Sequence, residues 1–190
     1  MAEGSRHTAI LIATSYQALN RAVRGSSQTL FADCTVMVLF ASLYVEATVN
    51  HIVENIGKSK QMTAFLNRPF PGMQDKIGWF YNEFVARSKA KTRKQMYDNG
   101  IEVKLRRKFP GFAQLYRFRN SISHGEIHPL AASLRTALHL RQRAKDLATD
   151  LYDIAADAGH PAPRLITYRQ AIAALPPSVA RAYGVRSRKP

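Results

Sequence analysis

The sequence predicts an all-α protein, a single-domain helical bundle of four to five main helices followed by short C-terminal helices. Apolar residues recur every three or four positions along most of the chain, which is the spacing of one helix face. Glycines and prolines fall mainly between these periodic segments, where helices end. The 190 residues suffice for one domain, and an apolar content of 46% suffices to give it a core.

Several segments fit the helical pattern in chain order. They are residues 8–23, 26–57, 73–85, 101–108, 112–123, 129–158 and 167–175. The first places Ile12, Tyr16, Leu19 and Val23 near a 3.6-residue period and ends before Gly25. The second carries a broad apolar stripe, which includes Phe31, up to the helix-ending Gly57, and prolines and glycines mark the connection that follows.

Turn signals separate the later helices. Residues 98–100, Asp-Asn-Gly, predict a turn, and the Pro110-Gly111 pair predicts another. The end of the chain is basic and contains further prolines. We therefore assign residues 1–160 to the helical bundle and residues 161–190 to a short helix with a basic C-terminal tail.

Basic residues are concentrated in the second half of the chain. The chain has 28 Lys and Arg against 13 Asp and Glu, a net charge of +15, yet residues 1–86 contain nearly equal numbers of both. A concentrated basic face attracts nucleic-acid phosphates without sequence preference, and salt weakens the attraction. The candidate RNA-binding residues are Arg93, Lys94, Lys104, Arg106, Arg107, Lys108 and Arg117.

Other classes of protein are disfavoured. The single cysteine, Cys34, excludes a disulfide framework and a Cys-rich metal site, and its apolar surroundings predict that it is packed. His124, Glu126 and His128 (HGEIH) resemble a zinc helix, but neighbouring Gly and Pro break it, so we expect no metal and no cofactor. No stretch approaches a run of about 18 apolar residues, so we expect a cytoplasmic protein without a membrane partner.

Residues 118–125 (FRNSISHG) combine side chains that suit phosphate chemistry. Arg119 offers a permanent charge and a bidentate fork for phosphoryl oxygens. His124 can move protons near neutral pH, and Asn120 can orient either group or hold a ribose hydroxyl. Arg119 and His124 are about 140° apart on a regular helix, so they converge only if the helix unwinds at His124.

The stretch RNSISH, residues 119–124, resembles the Arg-x4-6-His motif of the HEPN superfamily. These are small all-α domains of prokaryotic toxins, abortive-infection proteins and RNA-cleaving effectors, and their motif also lies near the end of a late helix. An earlier long helix commonly brings polar groups to the site of these proteins. Glu46 and Asn50, four residues apart, are the candidates here, with Ser123 as a further supporting residue. The resemblance covers about residues 8–158.

The resemblance implies a metal-independent RNA endonuclease, usually a homodimer, that acts as a toxin or in phage defence with an antitoxin or another defence protein as partner. It implies that His124 transfers protons, Arg119 stabilises phosphoryl charge and Asn120 positions the groups. In toxins paired with a nucleotidyltransferase antitoxin the motif continues His-x-Tyr, whereas Gly125 and Glu126 follow here. Two alternatives stay open: a catalytically inactive HEPN-like module that binds RNA or a partner, and a helical DNA-binding or structural protein.

Overall fold

The chain is helical throughout the part that the structure describes. The computed structural model describes residues 3–25, 27–56, 72–86, 93–124 and 133–183, and no strand occurs among them. In chain order the helices are α1 (Glu3–Arg24), α2 (Ser27–Ile56), α3 (Met73–Phe84), α4 (Arg93–Asp98), α5 (Ile101–Lys108), α6 (Phe112–Ser123), α7 (Leu134–Asp157), α8 (Tyr168–Ala173) and α9 (Pro177–Ala182). The predicted all-α bundle is confirmed.

Helices α1 and α2 run antiparallel and approach closely. Thr8 Oγ1 donates to the carbonyl oxygen of Ala47 (3.2 Å), and Ser15 Oγ donates to that of Met37 (2.9 Å). The buried face of α1 is rich in alanine, namely Ala9, Ala13, Ala18 and Ala22. Short side chains at a contact allow a small distance between helix axes. The predicted stripe on α1 is wrong at Val23, which is exposed.

Helix α2 is the central helix and contacts α1, α3, α6 and α7. Within Thr29–Asn55 an 18-residue window has a mean hydropathy of 1.6, high enough for a membrane span, contrary to the prediction that no stretch approaches one. The hydroxyls of Thr35, Ser42 and Thr48 interrupt the apolar sequence, but each donates to the carbonyl oxygen four residues earlier. Half of that window is buried inside the protein, and length and composition alone do not make the helix a membrane span.

Two apolar clusters stabilise the bundle. The main cluster lies between α2, α3, α5, α6 and α7, and its largest fully buried side chains include Phe80, Leu105, Phe118 and Tyr152. The second cluster joins Ile12 of α1 to the C-terminal segment, residues 158–183, for example to Leu165. At about 25 cal/mol per Å² of apolar surface, such burial is the dominant stabilising contribution.

The C-terminal segment packs on α1 and α2 through polar and aromatic contacts. The rings of Tyr16 and Tyr168 stack with centroids 4.4 Å apart. The hydroxyl of Tyr44 donates to the carbonyl oxygen of Leu165 (2.9 Å), and the hydroxyls of Thr14 and Tyr183 lie 3.0 Å apart. Residues up to Tyr183 therefore form part of the packed structure.

Two helices lie outside the predicted segments, and α7 begins later than predicted. Helix α4 forms in a basic stretch without an apolar stripe, and α9 begins at Pro177, where a proline fits the first helical turn. Ser133 has an extended backbone, and its Oγ accepts from the N–H of Thr136, so α7 begins after Ser133 rather than at residue 129. The predicted segment at 129–132, most of the connection at 58–72 and the tail at 184–190 lie outside the described residues.

Gly111 packs so tightly against α7 that a methyl group has no room. A Cβ at this position would lie 2.7 Å from the Cβ of Arg143. We expect Gly111→Ala to lower the free energy of unfolding by about 1–3 kcal/mol, because the connection between α5 and α6 must move. The control is Gly72→Ala, whose Cβ meets nothing within 4 Å, and it should change that free energy by less than about 0.5 kcal/mol. Urea denaturation compares the two, and equal stabilities would contradict the close packing.

Candidate functional site

A carboxylate from α2 lies between two cations from other helices. Glu46 Oε1 lies 2.8 Å from Lys76 Nζ on α3, and Glu46 Oε2 lies 3.7 Å from Arg119 Nη2 on α6. Only 16% of the Glu46 side chain, 11% of Lys76 and 28% of Arg119 is exposed. Solvent screens a cluster of this kind weakly, so its charges interact more strongly than a surface pair does. The structure thus brings the supporting candidate Glu46 to the arginine of the motif.

Arg119 lies on the side of α6 that faces α2. The preceding residue, Phe118, is fully buried, and one helical step of about 100° directs Arg119 along the edge of the core toward Glu46. Arg119 Nη1 also donates to Asn120 Oδ1 at 3.2 Å. Two of the three predicted catalytic residues are therefore in contact, and the guanidinium is held from both sides.

His124 is the residue at which α6 ends. Its backbone angles, φ −96° and ψ 8°, lie outside the helical region, and its N–H donates to the carbonyl oxygens of Asn120 (3.0 Å) and Ser121 (3.2 Å). The helix thus stops at the position where the sequence predicts unwinding. The imidazole is exposed, whereas the Arg119 guanidinium turns toward α2. The side chain of Ser123, the remaining supporting candidate on α6, lies outside the described residues.

An open cleft of about 310 Å³ lies between α1 and α2 beside Glu46. Its polar lining comes from His7, Glu46 and Asn50, and the rest of its wall is apolar. Asn50 Oδ1 is buried and, within the described part of the chain, has no hydrogen-bond partner. A buried acceptor without a donor costs free energy, so a ligand or water that donates to it is stabilised. The cleft is therefore large enough and polar enough to receive a small organic group.

The predicted RNA-binding residues lie on the surface around α5. Exposed side chains are found at Lys94, Lys104, Arg106, Arg107, Lys108 and Arg117, and the side chain of Arg93 lies outside the described residues. Because Ile101 and Leu105 face the core, the basic residues of α5 spread over its solvent side. Burial raises the pKa of Asp150 on α7, and the nearby charge of Lys108 opposes that shift. Lys108 therefore lies near a carboxylate of α7.

The sequence prediction misses Lys76 and His7. Helix α3 buries Met73, Ile77 and Phe80, and Lys76 occupies the same face. A lysine in the buried register of an amphipathic helix signals a carboxylate partner, because an ammonium group is rarely buried unpaired. That signal was available for Lys76. His7 precedes the periodic part of α1, and no sequence pattern points to it.

Other reactive side chains have packing roles. Cys34 is fully buried, and burial raises the pKa of its thiol, so it is packed as predicted rather than nucleophilic. His51 Nε2 lies 2.8 Å from the carbonyl oxygen of Pro163 and ties the C-terminal segment to α2. No cluster of three His, Cys, Asp or Glu that could hold a metal occurs among the described residues, and Glu126 and His128 lie outside them.

Comparisons with known proteins add no relative to these observations. No family model, curated protein or solved structure matches the chain. Function is therefore argued from the fold and from the geometry around Glu46, Arg119 and His124.

Proposed function

We propose that the protein is a metal-independent RNA endonuclease of the HEPN type that acts in the cytoplasm as a toxin or phage-defence effector. The contact between Glu46 and Arg119 carries the proposal, because it joins the RNSISH helix to a polar group on the long early helix. The cleft beside Glu46 supports it by offering space for a nucleotide. An antitoxin or another defence protein is then the expected partner.

The proposed reaction divides its tasks among two residues of α6 and the residue that ends it. The 2′-hydroxyl of RNA attacks the neighbouring phosphorus, so a 2′-O–P bond forms while the P–O5′ bond breaks. His124 takes the proton of the 2′-hydroxyl or supplies one to the leaving 5′-oxygen. Arg119 stabilises the charge that develops on the phosphoryl oxygens, and Asn120 holds Arg119 in orientation. The products carry a 2′,3′-cyclic phosphate and a 5′-hydroxyl.

A homodimer completes the site in this proposal. The exposed position of His124 at the end of α6 supports it, since an exposed imidazole is accessible to a second copy of the chain. With one His124 from each copy beside the scissile phosphate, one imidazole acts as base and the other as acid. The exposed cations around α5 and Arg117 then hold the flanking RNA through its phosphates.

Cleavage of labelled RNA in EDTA tests the proposal. The wild type should cut the RNA and leave cyclic-phosphate ends, which mass spectrometry of the products identifies. His124→Ala should cut at least about 100-fold more slowly, because general acid–base catalysis is lost. The matched control is His139→Ala, another exposed histidine, on α7, and it should cut at the wild-type rate. Absence of cutting by the wild type, or equal rates for both variants, would contradict the proposed enzyme.

A catalytically inactive module that binds RNA or a partner is the second candidate function. The ion pair of Arg119 favours it, because the Glu46 carboxylate 3.7 Å away opposes the approach of a phosphate to the guanidinium. Wild-type protein that binds the RNA in a salt-dependent manner and leaves it intact would select this module over the nuclease.

A further inference from the structure

A second, smaller cavity lies between α1, α2, α7 and the segment before α8. Arg141 and Lys145, four residues apart on α7, enter it side by side, and the rest of its lining is Ile12, Ser15, Ala41, Tyr44 and Ile166. Tyr44 and Glu46 differ by about 200° around α2, so this cavity lies on the opposite side of that helix from the motif. It is separate from the proposed nuclease site.

Arg141 is partly buried at this cavity. Arg141 Nε is shielded from solvent and, in the described part of the chain, has no hydrogen-bond partner. The guanidinium carbon lies 5.8 Å from the centre of the Tyr16 ring, a contact that supports a cation but forms no hydrogen bond. Burial lowers the pKa of Arg141, which agrees with a charge removed from water. A buried charge of this kind costs free energy until an anion pairs with it.

Carboxylates on the helices around the cavity have other partners. The residues that line the cavity contain no acidic side chain. Asp33 of α2 pairs with Arg21 at 2.8 Å, and Asp146 of α7 accepts from Gln142 Nε2 at 2.7 Å. The described C-terminal segment, residues 158–183, has no acidic residue at all. The anion that would neutralise Arg141 and Lys145 must therefore come from outside the described chain.

We propose that this cavity binds one small oxyanion, the phosphate or carboxylate end of a ligand. The free volume of about 20 Å³ admits about one water-sized group, so a terminal oxygen enters and the rest of the ligand stays outside. Arg141 donates to the oxygen that enters, and Lys145 adds a second charge. Ser15 already donates to Met37, so the two cations supply the donors.

Thermal unfolding of the full chain with inorganic phosphate tests this site. At about 20 mM phosphate the wild-type Tm should rise by about 3–6 °C over sodium chloride of equal ionic strength. Acetate in place of phosphate distinguishes the two sources of the oxyanion. Arg141→Met and Lys145→Met should each abolish the rise, and Arg135→Met, an exposed arginine on the same helix, should retain it.

The change in Tm that Arg141→Met causes without ligand distinguishes an anion-binding role of Arg141 from a packing role. If Arg141 is kept for an anion, Arg141→Met removes an uncompensated charge and leaves the ligand-free Tm unchanged or raises it. A lower ligand-free Tm together with an unchanged phosphate response would show that Arg141 only packs on Tyr16, and would overturn the site. No rise of the wild-type Tm with either anion would overturn it as well. If Arg141→Met does not fold, Lys145→Met decides the question.

Discussion

Glu46→Gln should lower the free energy of unfolding by about 3 kcal/mol, the largest loss of stability expected from a single isosteric change in this bundle. The amide keeps the shape of the side chain but removes the negative charge between Lys76 and Arg119. Two mostly buried cations then face each other without a counter-ion. For a chain of this size the loss corresponds to a fall in Tm of about 6–12 °C. Calorimetry or urea denaturation measures it.

The exposed pair of Asp153 and Arg164 supplies the matched control. Their side chains are 48% and 47% exposed, so Asp153→Asn should cost less than about 1 kcal/mol. Lys76→Met combined with Glu46→Gln should recover most of the lost stability, because one of the two uncompensated cations is also removed. A Glu46→Gln variant as stable as the Asp153→Asn variant would show that the cluster is hydrated and contributes little.

Arg119→Ala should slow RNA cleavage on the order of 1000-fold, the largest effect on activity expected from one residue. The guanidinium is the group proposed to meet charge that develops in the transition state, and loss of one such donor costs about 10²–10³-fold. The fold should survive, because Lys76 remains 2.8 Å from Glu46 and still neutralises it. A change in the free energy of unfolding of about 1 kcal/mol or less, measured on the same preparation, separates lost catalysis from lost structure.

Arg117→Ala is the control for this second prediction. Arg117 is exposed, and its side chain projects from α6 about 200° around the helix axis from that of Arg119. It can therefore contact only flanking phosphates. Its loss should weaken binding slightly and reduce the salt dependence of affinity by about one phosphate contact, with the rate on bound RNA unchanged. Equal losses of cleavage in both variants would assign Arg119 to RNA binding alone. An Arg119→Ala variant that cuts normally would contradict the proposed role outright.

The sequence predicts the helices that bury one face and expose the other. Helix α6 follows its stripe of Phe112, Leu115 and Phe118 to within a residue, because a helix face is a local property. Helix α4 is missed because its basic sequence has no apolar period. The exposure of Phe31, which the apolar stripe of α2 places in the core, depends on which helices surround it. Such neighbours are a property of the tertiary structure.

The candidate site likewise contains residues that the sequence indicates and cavities that it does not. The resemblance to the HEPN motif names Glu46 as a supporting candidate, and the structure places it beside Arg119. Lys76 lies on the buried face of α3, where a lysine needs a carboxylate partner. The cleft with His7 and the cavity with Arg141 arise where separate helices meet, and no local pattern of the chain specifies such a space.

The packing of the C-terminal segment on α1 affects the order in which the protein can be completed during its synthesis. Tyr44 and Leu165, joined by a hydrogen bond, are 121 residues apart in the chain. At about 5–20 residues per second the ribosome needs roughly 6–24 s to pass from one to the other. During that interval the paired α1 and α2 keep the face around Ile12 uncovered. The nascent chain thus exposes an apolar surface until α8 and α9 emerge, which makes slow or interrupted translation a route to aggregation.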